Sequence, residues 1–520
     1  METIMRRLLV LALAALLCIG IAVIANYSKQ QPASNAVEAP ATAAAPLPRQ
    51  PTAFGINLST VAYWSKQRAF MNLAVGGIWQ SINAGWAEFD HDRIDGNGTV
   101  LSLKPGENVA MALIRPPRSY LGDIAIRCRF DGKGVIDGIG MVSPVASPGR
   151  LDFIWRHDIE TAQFRLNATD PADPIRNIDC READADPKLL FDSAFVETLT
   201  PYKAVRFMDW QQANGNVAGT WSQRTSPGAT IQSSGQGVAM EHMVTLANQA
   251  KTDPWFVMPW NADATYTENF ARYVHDHLDP SLTVYVEVGN EIWNMDFPAG
   301  KQARAEGIRD KLSANPDEAR MRRYAVKAVA GFKIWSRVYA DRPKQLVRIL
   351  SGQNAWPDLL RYAVDYKDTA ANVDALSTAV YFGQQLLETP PADTRDAGPL
   401  FPPLMASIDA TFASARTFKQ MADSHGLRYV AYEGGQHVSW HGADPTLIGR
   451  INRDPRMGDA YRKFMTLWAR DFGDTLMLFH SVSPPGSSMH FGLADYSGQP
   501  ISETPKRKAV LDMIAATKGK

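Results

Sequence analysis

An uninterrupted apolar run from Leu8 to Ala25 follows Arg6-Arg7 near the start of the chain. Positive charge ahead of an Ala/Leu/Val stretch predicts a secretory signal peptide or an uncleaved N-terminal membrane anchor. As a helix the run is about 27 Å long, at the lower edge of a bilayer span, so both readings of residues 1–26 stay open. Either way residues 26–520 are expected to be exported, to the periplasm or cell surface, with an inner-membrane tether through residues 8–25 in the anchored case. Residues 27–52 are rich in Ala, Pro, Gln and Ser and have no periodic apolar face, which predicts a linker.

From residue 53 the pattern becomes that of a folded chain. Phe54–Leu58 reads as a short strand, and the apolar spacing over Phe70–Ile82 reads as helix-like. Ile124–Phe130 then alternates, Asp131-Gly132-Lys133-Gly134 supplies a turn, and Val135–Val142 returns as a strand. Arg150–Arg156 and Thr161–Leu166 continue in the same manner. Residues 87–182 are therefore expected to form an inserted β-rich, sandwich-like subdomain.

After Phe191 strands alternate with helices. The strands are Ala204–Met208, Trp255–Pro259, Thr283–Val288, Val347–Ser351, Ala375–Tyr381, Arg428–Tyr432 and Thr475–Phe479. Helical periodicity is clear in Ala328, Phe332, Trp335, Val338 and Tyr339, and in Tyr461, Phe464, Met465 and Trp468. With Phe54–Leu58 the strands number eight. Eight strand–helix units predict an α/β fold, a (β/α)8 TIM barrel over 53–86 and 183–520, with the β insertion after its first strand. An open doubly wound sheet is less well supported, because no GxGxxG follows the first strand.

Composition narrows the function. Lys+Arg and Asp+Glu are both 54, so there is no basic excess to attract nucleic acid. The 13 Trp, beside 16 Tyr and 21 Phe, suit a large core or a cleft where flat rings stack on sugar. Only Cys128 and Cys180 lie beyond the apolar run that holds Cys18. An oxidising compartment would allow them to pair, but two cysteines make no disulfide framework, and buried free thiols are the favoured expectation. With no CxxC or Cys/His cluster, no structural zinc is expected.

Barrel chemistry sits at the C-terminal ends of the strands. The fourth strand leads into Gly289-Asn290-Glu291-Ile292-Trp293, and the seventh into Glu433-Gly434-Gly435. Glycoside hydrolysis needs two such carboxylates flanking the scissile bond. Glu287, in the same segment as Glu291, is expected to be structural, since alternation along the strand sets it on a different path. Arg206, on the second strand, would be buried and must find a carboxylate; Glu433 is the expected partner, and Asp209 is the alternative. Trp260 and Asn261 close the third strand and His480 the eighth. Trp64, Trp210, Trp293 and Trp440 fall on loops of the same face. Each is an expected sugar contact, with some of the tryptophans packing the rim instead. His437 and His441 have the four-residue spacing of a metal pair, but the segment follows Gly-Gly and offers no third ligand, so polar cleft lining is expected and no metal.

Asn-Glu with Trp293 after one strand, and Tyr-Glu-Gly-Gly after a strand three units later, resemble the retaining (β/α)8 glycosidases of clan A, which include endoglucanase-like enzymes. The resemblance covers roughly residues 53–80 and 185–500, and the chain as a whole is similar to secreted bacterial proteins described as cellulose-binding. It implies that Glu291 is the acid/base, Glu433 the nucleophile, Asn290 a ligand of the sugar 2-hydroxyl and Tyr381 a hydrogen-bond donor to the nucleophile. The expected activity is that of an exported, monomeric retaining glycoside hydrolase on a β-linked polysaccharide such as cellulose or an exopolysaccharide, without cofactor. A non-catalytic polysaccharide-binding protein on the same barrel, and a transglycosylase, remain alternatives.

Overall fold

The computed structural model describes residues 50–216, 218–388, 393–439, 445–483, 486 and 490–518. The expected signal or anchor, the linker up to residue 49, Trp440 and His441 lie outside the described residues. Among the described residues no helix is long and apolar enough to cross a membrane.

Eight parallel strands close a barrel in sequence order: β1 Ala53–Asn57, β2 Ala204–Arg206, β3 Asp253–Met258, β4 Val284–Val288, β5 Leu346–Gly352, β6 Ala375–Phe382, β7 Arg428–Gln436 and β8 Thr475–Leu478. β8 pairs back onto β1, with Ala53 opposite Thr475. The chain is a (β/α)8 TIM barrel. Strands buried on both faces have to be apolar along their length, which is why they stand out in the sequence. Several of the surrounding helices start with proline at their first turn, as in Pro298–Arg309, Pro316–Val338, Pro357–Val364 and Pro455–Asp471. Proline suits that position, because its missing N–H would have no helical partner there.

Two antiparallel sheets, of four and five strands, are built from Trp79 to Glu182, between β1 and β2. None of their strands enters the barrel. Phe130 of one sheet meets Phe164 of the other edge to face, ring centres 5.9 Å apart. The sheets begin earlier than the expected residue 87. The stretch Phe70–Ile82 is not a helix: it holds a 3-10 turn, Leu73–Gly76, and a strand, Trp79–Ser81, that pairs with Val109–Ala112. Gly76-Gly77 breaks the helical pattern, and a Cβ on Gly77 would fall 2.2 Å from the Met111 side chain.

Cys128 and Cys180 are joined by a disulfide, against the favoured expectation of free thiols. They are direct cross-strand partners in the pairing of Ile124–Asp131 with Arg176–Glu182, and their Cα atoms are 3.8 Å apart. That register cannot be read from two isolated cysteines.

Candidate active site

Side chains alternate along a strand, so every second residue faces the barrel lumen and each such step rises one layer. The lower layer is apolar: Trp255 stacks on Tyr285 (5.2 Å, 11°), with Val347, Ile349, Val430 and Met477 around them. One step higher the same strands carry polar groups. Ala204 gives way to Arg206 on β2, Tyr285 to Glu287 on β4, and Ile349 to Ser351 on β5. This layer lies at the C-terminal ends of the strands.

Arg206 is fully buried at its centre. Nε and Nη2 both donate to Oε1 of Glu287. Nη1 donates to Oδ1 of Asn57 at 3.0 Å and to Oε1 of Glu433 at 2.7 Å. Nη2 donates also to Oδ1 of Asn290 at 2.8 Å. A guanidinium has five N–H groups, and these contacts engage all five. Glu287 is further held by the Ser351 hydroxyl at 2.8 Å, and Asn290 donates to Asn214 at 2.8 Å.

Glu433 reaches the lumen through an irregularity. β7 runs on to Gln436, past the expected end at Tyr432. Its register against β6 shifts between the pair Thr378–Ala431 and the pair Ala379–Glu433, leaving Tyr432 as an extra residue. A bulge suspends the alternation of faces. Tyr432 and Glu433 therefore both point into the barrel. The Tyr432 hydroxyl donates to Oε1 of Glu291 at 3.1 Å, and the Tyr381 hydroxyl to Oε2 of Glu433 at 2.7 Å. Glu291 itself follows a tight turn. Gly289 has φ +66°, and a Cβ there would fall 2.5 Å from Ile292. Glu291 has φ +46°, a region that costs an L-residue roughly 1–2 kcal/mol. Asn294 donates to its Oε2 at 3.0 Å.

Burial, and then the charge of Glu433, push Glu291 up to about 8. Burial raises Glu433 as well, but the Arg206 charge and hydrogen bonds from Tyr381 and Arg206 favour its ionised form. Glu291 has only neutral donors. Of the pair, Glu433 is therefore the group whose surroundings favour the charge, and Glu291 the one whose surroundings favour the proton. Asp209, just beyond β2, is pushed up to about 7 by burial and then by Glu433. Burial lowers His437 to about 4 and His480 to about 3, so both are neutral imidazoles.

Glu291, Glu433, Asn290, Arg206 and Tyr381 thus share one hydrogen-bonded cluster, and Arg206 meets Glu433 rather than Asp209. The His437 ring lies 5.2 Å from that of Tyr381, and Nδ1 of His480 lies 2.7 Å from the Ser59 hydroxyl. Trp293 is half-buried, and Trp64 is 48% exposed. Asn261 accepts from Gln302 at 2.6 Å, a contact to the helix Pro298–Arg309. Two expected sugar contacts are corrected. Trp210 is buried among Phe70, Phe191, Phe195 and Phe207, and its Nε1 donates to Ser59 O. Trp260 is buried beneath Lys327. Neither presents a ring face to a ligand. Among the described residues no three His, Cys, Asp or Glu side chains are grouped to hold a metal.

Asn57, Tyr432 and Asn294 join the cluster without having been expected from the sequence. Asn57 was within reach, because it lies two residues beyond Gly55 on β1 and so shares its face. Tyr432 was within reach too, because it lies two residues beyond Val430 on the same luminal face; it is Glu433 that the bulge turns inward out of step.

No family model matches the chain, and no curated protein matches its sequence. Solved structures are similar to it. The α-L-arabinofuranosidase from Thermotoga maritima has TM-score 0.40 and 12% identity, over 64% of this chain and 65% of that one. The β-glucosidase from Thermotoga maritima has TM-score 0.35 and 10% identity, over 62% and 85%. A GH5-4 broad specificity endoglucanase from an uncultured bacterium has TM-score 0.33 and 12% identity, over 60% and 81%. All three are glycoside hydrolases. This chain spans about 65% of the length of the arabinofuranosidase. At these identities the likeness is one of fold, and the chemistry is read from the residues of the barrel mouth themselves.

Proposed function

We propose that the protein is an exported retaining glycoside hydrolase acting on a β-linked polysaccharide, cellulose or an exopolysaccharide. The observation that carries this reading is the unequal set of donors around two carboxyl groups from β7 and the loop after β4: a cation and a hydroxyl on Glu433, neutral groups alone on Glu291. Glu433 is held as an anion by Arg206 and Tyr381, while Glu291 keeps its proton.

In the first step Glu433 attacks the anomeric carbon, forming a glycosyl ester as the glycosidic C–O bond breaks. The Glu291 proton goes to the departing oxygen. Esterification removes the charge of Glu433, which lowers the pKa of Glu291 and turns it into a base. In the second step Glu291 takes a proton from water, the water oxygen attacks the same carbon, and the ester bond breaks to regenerate Glu433. Asn290 has one N–H left after its contact with Asn214 and is assigned to the sugar 2-hydroxyl. Trp64, Trp293, His437 and His480 are assigned to the cleft wall.

The test is a polysaccharide panel with Glu433→Gln as control and NMR of the first-formed anomer. Retention of configuration is expected, with carboxyl groups about 5–5.5 Å apart; an inverted product would overturn the reading. Adding an acceptor sugar separates hydrolysis from transglycosylation. The Cys128–Cys180 bond supports export, because disulfides persist in oxidising compartments. Full-length protein is expected in the membrane fraction and a form lacking residues 1–30 in the soluble one. A soluble mature chain starting near Asn26 would instead identify a cleaved signal.

A further inference from the structure

His480 stands just beyond the C-terminal end of β8, at the barrel mouth. Its ring centre lies 4.5 Å from that of Phe479 and 6.5 Å from that of Phe491. Both phenylalanine rings lie 6.1 Å from the ring of Tyr381, whose hydroxyl meets Glu433. On its other side, Nδ1 of His480 lies 2.7 Å from Oγ of Ser59, in the loop after β1. The other partners of that oxygen decide which of the two atoms donates. The Val482 carbonyl can only accept, so it takes the one hydrogen of the Ser59 hydroxyl. The Val482 N–H can only donate, and it gives to the same Oγ at 3.1 Å. The Ser481 hydroxyl sends its own hydrogen to Oε1 of Gln67, an amide whose orientation is set because its Nε2 donates to Ser59 O at 3.0 Å. Oγ of Ser59 therefore has only a lone pair to offer His480, and Nδ1 carries the ring hydrogen.

Nε2 is then a second N–H or a bare lone pair, according to the charge of the ring. Burial disfavours the charged ring, and the ion that acts on it is a cation, Lys506, whose Nζ donates to the carbonyls of His490 and Phe491 at 3.2 and 3.4 Å. Among the described residues no carboxylate is bonded to His480 to offset that charge. The ring is therefore neutral, and Nε2 is an acceptor. It meets no partner among the described residues, and His480 is only half-buried. With Nδ1 turned to Ser59, the ring carries Nε2 on the side away from that loop. We propose that His480 is a specificity residue whose Nε2 lone pair accepts a hydroxyl hydrogen of the sugar seated against Glu433. The substrate class is then a β-linked glycan with a free hydroxyl at that position. A carboxylate or an O-alkyl group there has no hydrogen to offer and would set lone pair against lone pair.

The assignment rests on the glycosidase reading of the same cleft, and its test does not use turnover. The Glu433→Gln chain is labelled with isotopic nitrogen in its histidine rings and followed by NMR at pH 6, the His480 signals being those lost in His480→Gln. A hydrogen on Nδ1 and none on Nε2 is expected. The ligand is cellotetraose or the β-1,3-linked glucose tetramer, whichever calorimetry shows to bind more tightly. On saturation the Nε2 signal should move upfield as its lone pair is taken. His480→Phe in the same background, checked by thermal melting, should bind that tetramer about tenfold more weakly, the loss of one hydrogen bond. A ring hydrogen on Nε2, an Nε2 signal that the tetramer leaves in place, binding of neither tetramer, or unchanged affinity in His480→Phe would overturn the assignment. Absence of hydrolysis by the wild-type enzyme, with the tautomer and the ligand-induced shift intact, would defeat the glycosidase reading and leave this assignment standing.

Discussion

Arg206 and Arg68 are both fully buried beside a glutamate, yet their surroundings differ. Arg68 lies at the seam between the barrel and the antiparallel sheets. Its Nη2 donates to Oε2 of Glu182, at the end of Arg176–Glu182, and to Met71 O. Among the described residues its Nε and Nη1 find no partner. One cation meets one anion, and the pair ties two parts of the fold together. Arg206 has no idle N–H, but it answers to two carboxylates, with Glu291 also close by. A seam needs only neutrality. On the glycosidase reading the mouth needs carboxyl groups that differ in their hold on a proton, and a shortage of positive charge favours that difference.

The sharpest way to break this contrast is to remove the shared anion of the mouth. Glu433→Ala is expected to lower kcat on the true substrate by on the order of 10³-fold or more while the thermal transition survives. Full activity in that variant would end the catalytic reading.

At the seam the effect should fall on folding. Arg68→Met leaves Glu182 buried without its cation and is expected to cost about 3–5 kcal/mol in a denaturant melt, with kcat of the folded fraction unchanged. Arg206→Met should instead remove activity, because Glu433 loses the charge that keeps it ionised.

The disulfide belongs to the seam side of the comparison. Cys128→Ala with Cys180→Ala is expected to destabilise the antiparallel sheets by about 2–4 kcal/mol, seen as an earlier transition, with turnover spared.

The pH dependence belongs to the mouth. Glu291 holds its proton up to about pH 8 in the folded state, against 4.5 as its ordinary value. The folded state thus binds more protons over that window, and stability should fall as pH rises from about 4.5 to 8. Asp209 works in the same direction, from 3.8 to about 7. Urea melts across that range should show a shallower decline in Glu291→Gln, and the basic limb of activity should lie near pH 8. The smallest effect concerns backbone strain. Glu291→Asn, which tolerates φ +46° better, should gain about 1 kcal/mol at pH 5 while losing activity.

The eight barrel strands were legible in the sequence because strands covered on both faces must be apolar throughout. Asn290 and Glu291 were legible because they follow such a strand, and Glu433 because an apolar run leads up to it, although the strand itself continues to Gln436. Arg206 was legible for a similar reason: a cation inside a barrel needs an anion, and few were on offer. Trp79–Ser81 was not, since an apolar stretch broken by Gly76-Gly77 imitates helical spacing until its partner strand is known.

What the sequence determined by itself is periodicity: which segments are strands, which are helices, and which carboxylates stand at the mouth. Periodicity is a local property, set by the residue-to-residue geometry of the backbone. Only the tertiary structure decided the rest. A bulge at Tyr432 turned two consecutive side chains inward, cross-strand register brought Cys128 to Cys180, and packing buried Trp210 and Trp260 while leaving Trp64 exposed. Each of these depends on which distant segments come into contact, and spacing along the chain carries no record of that.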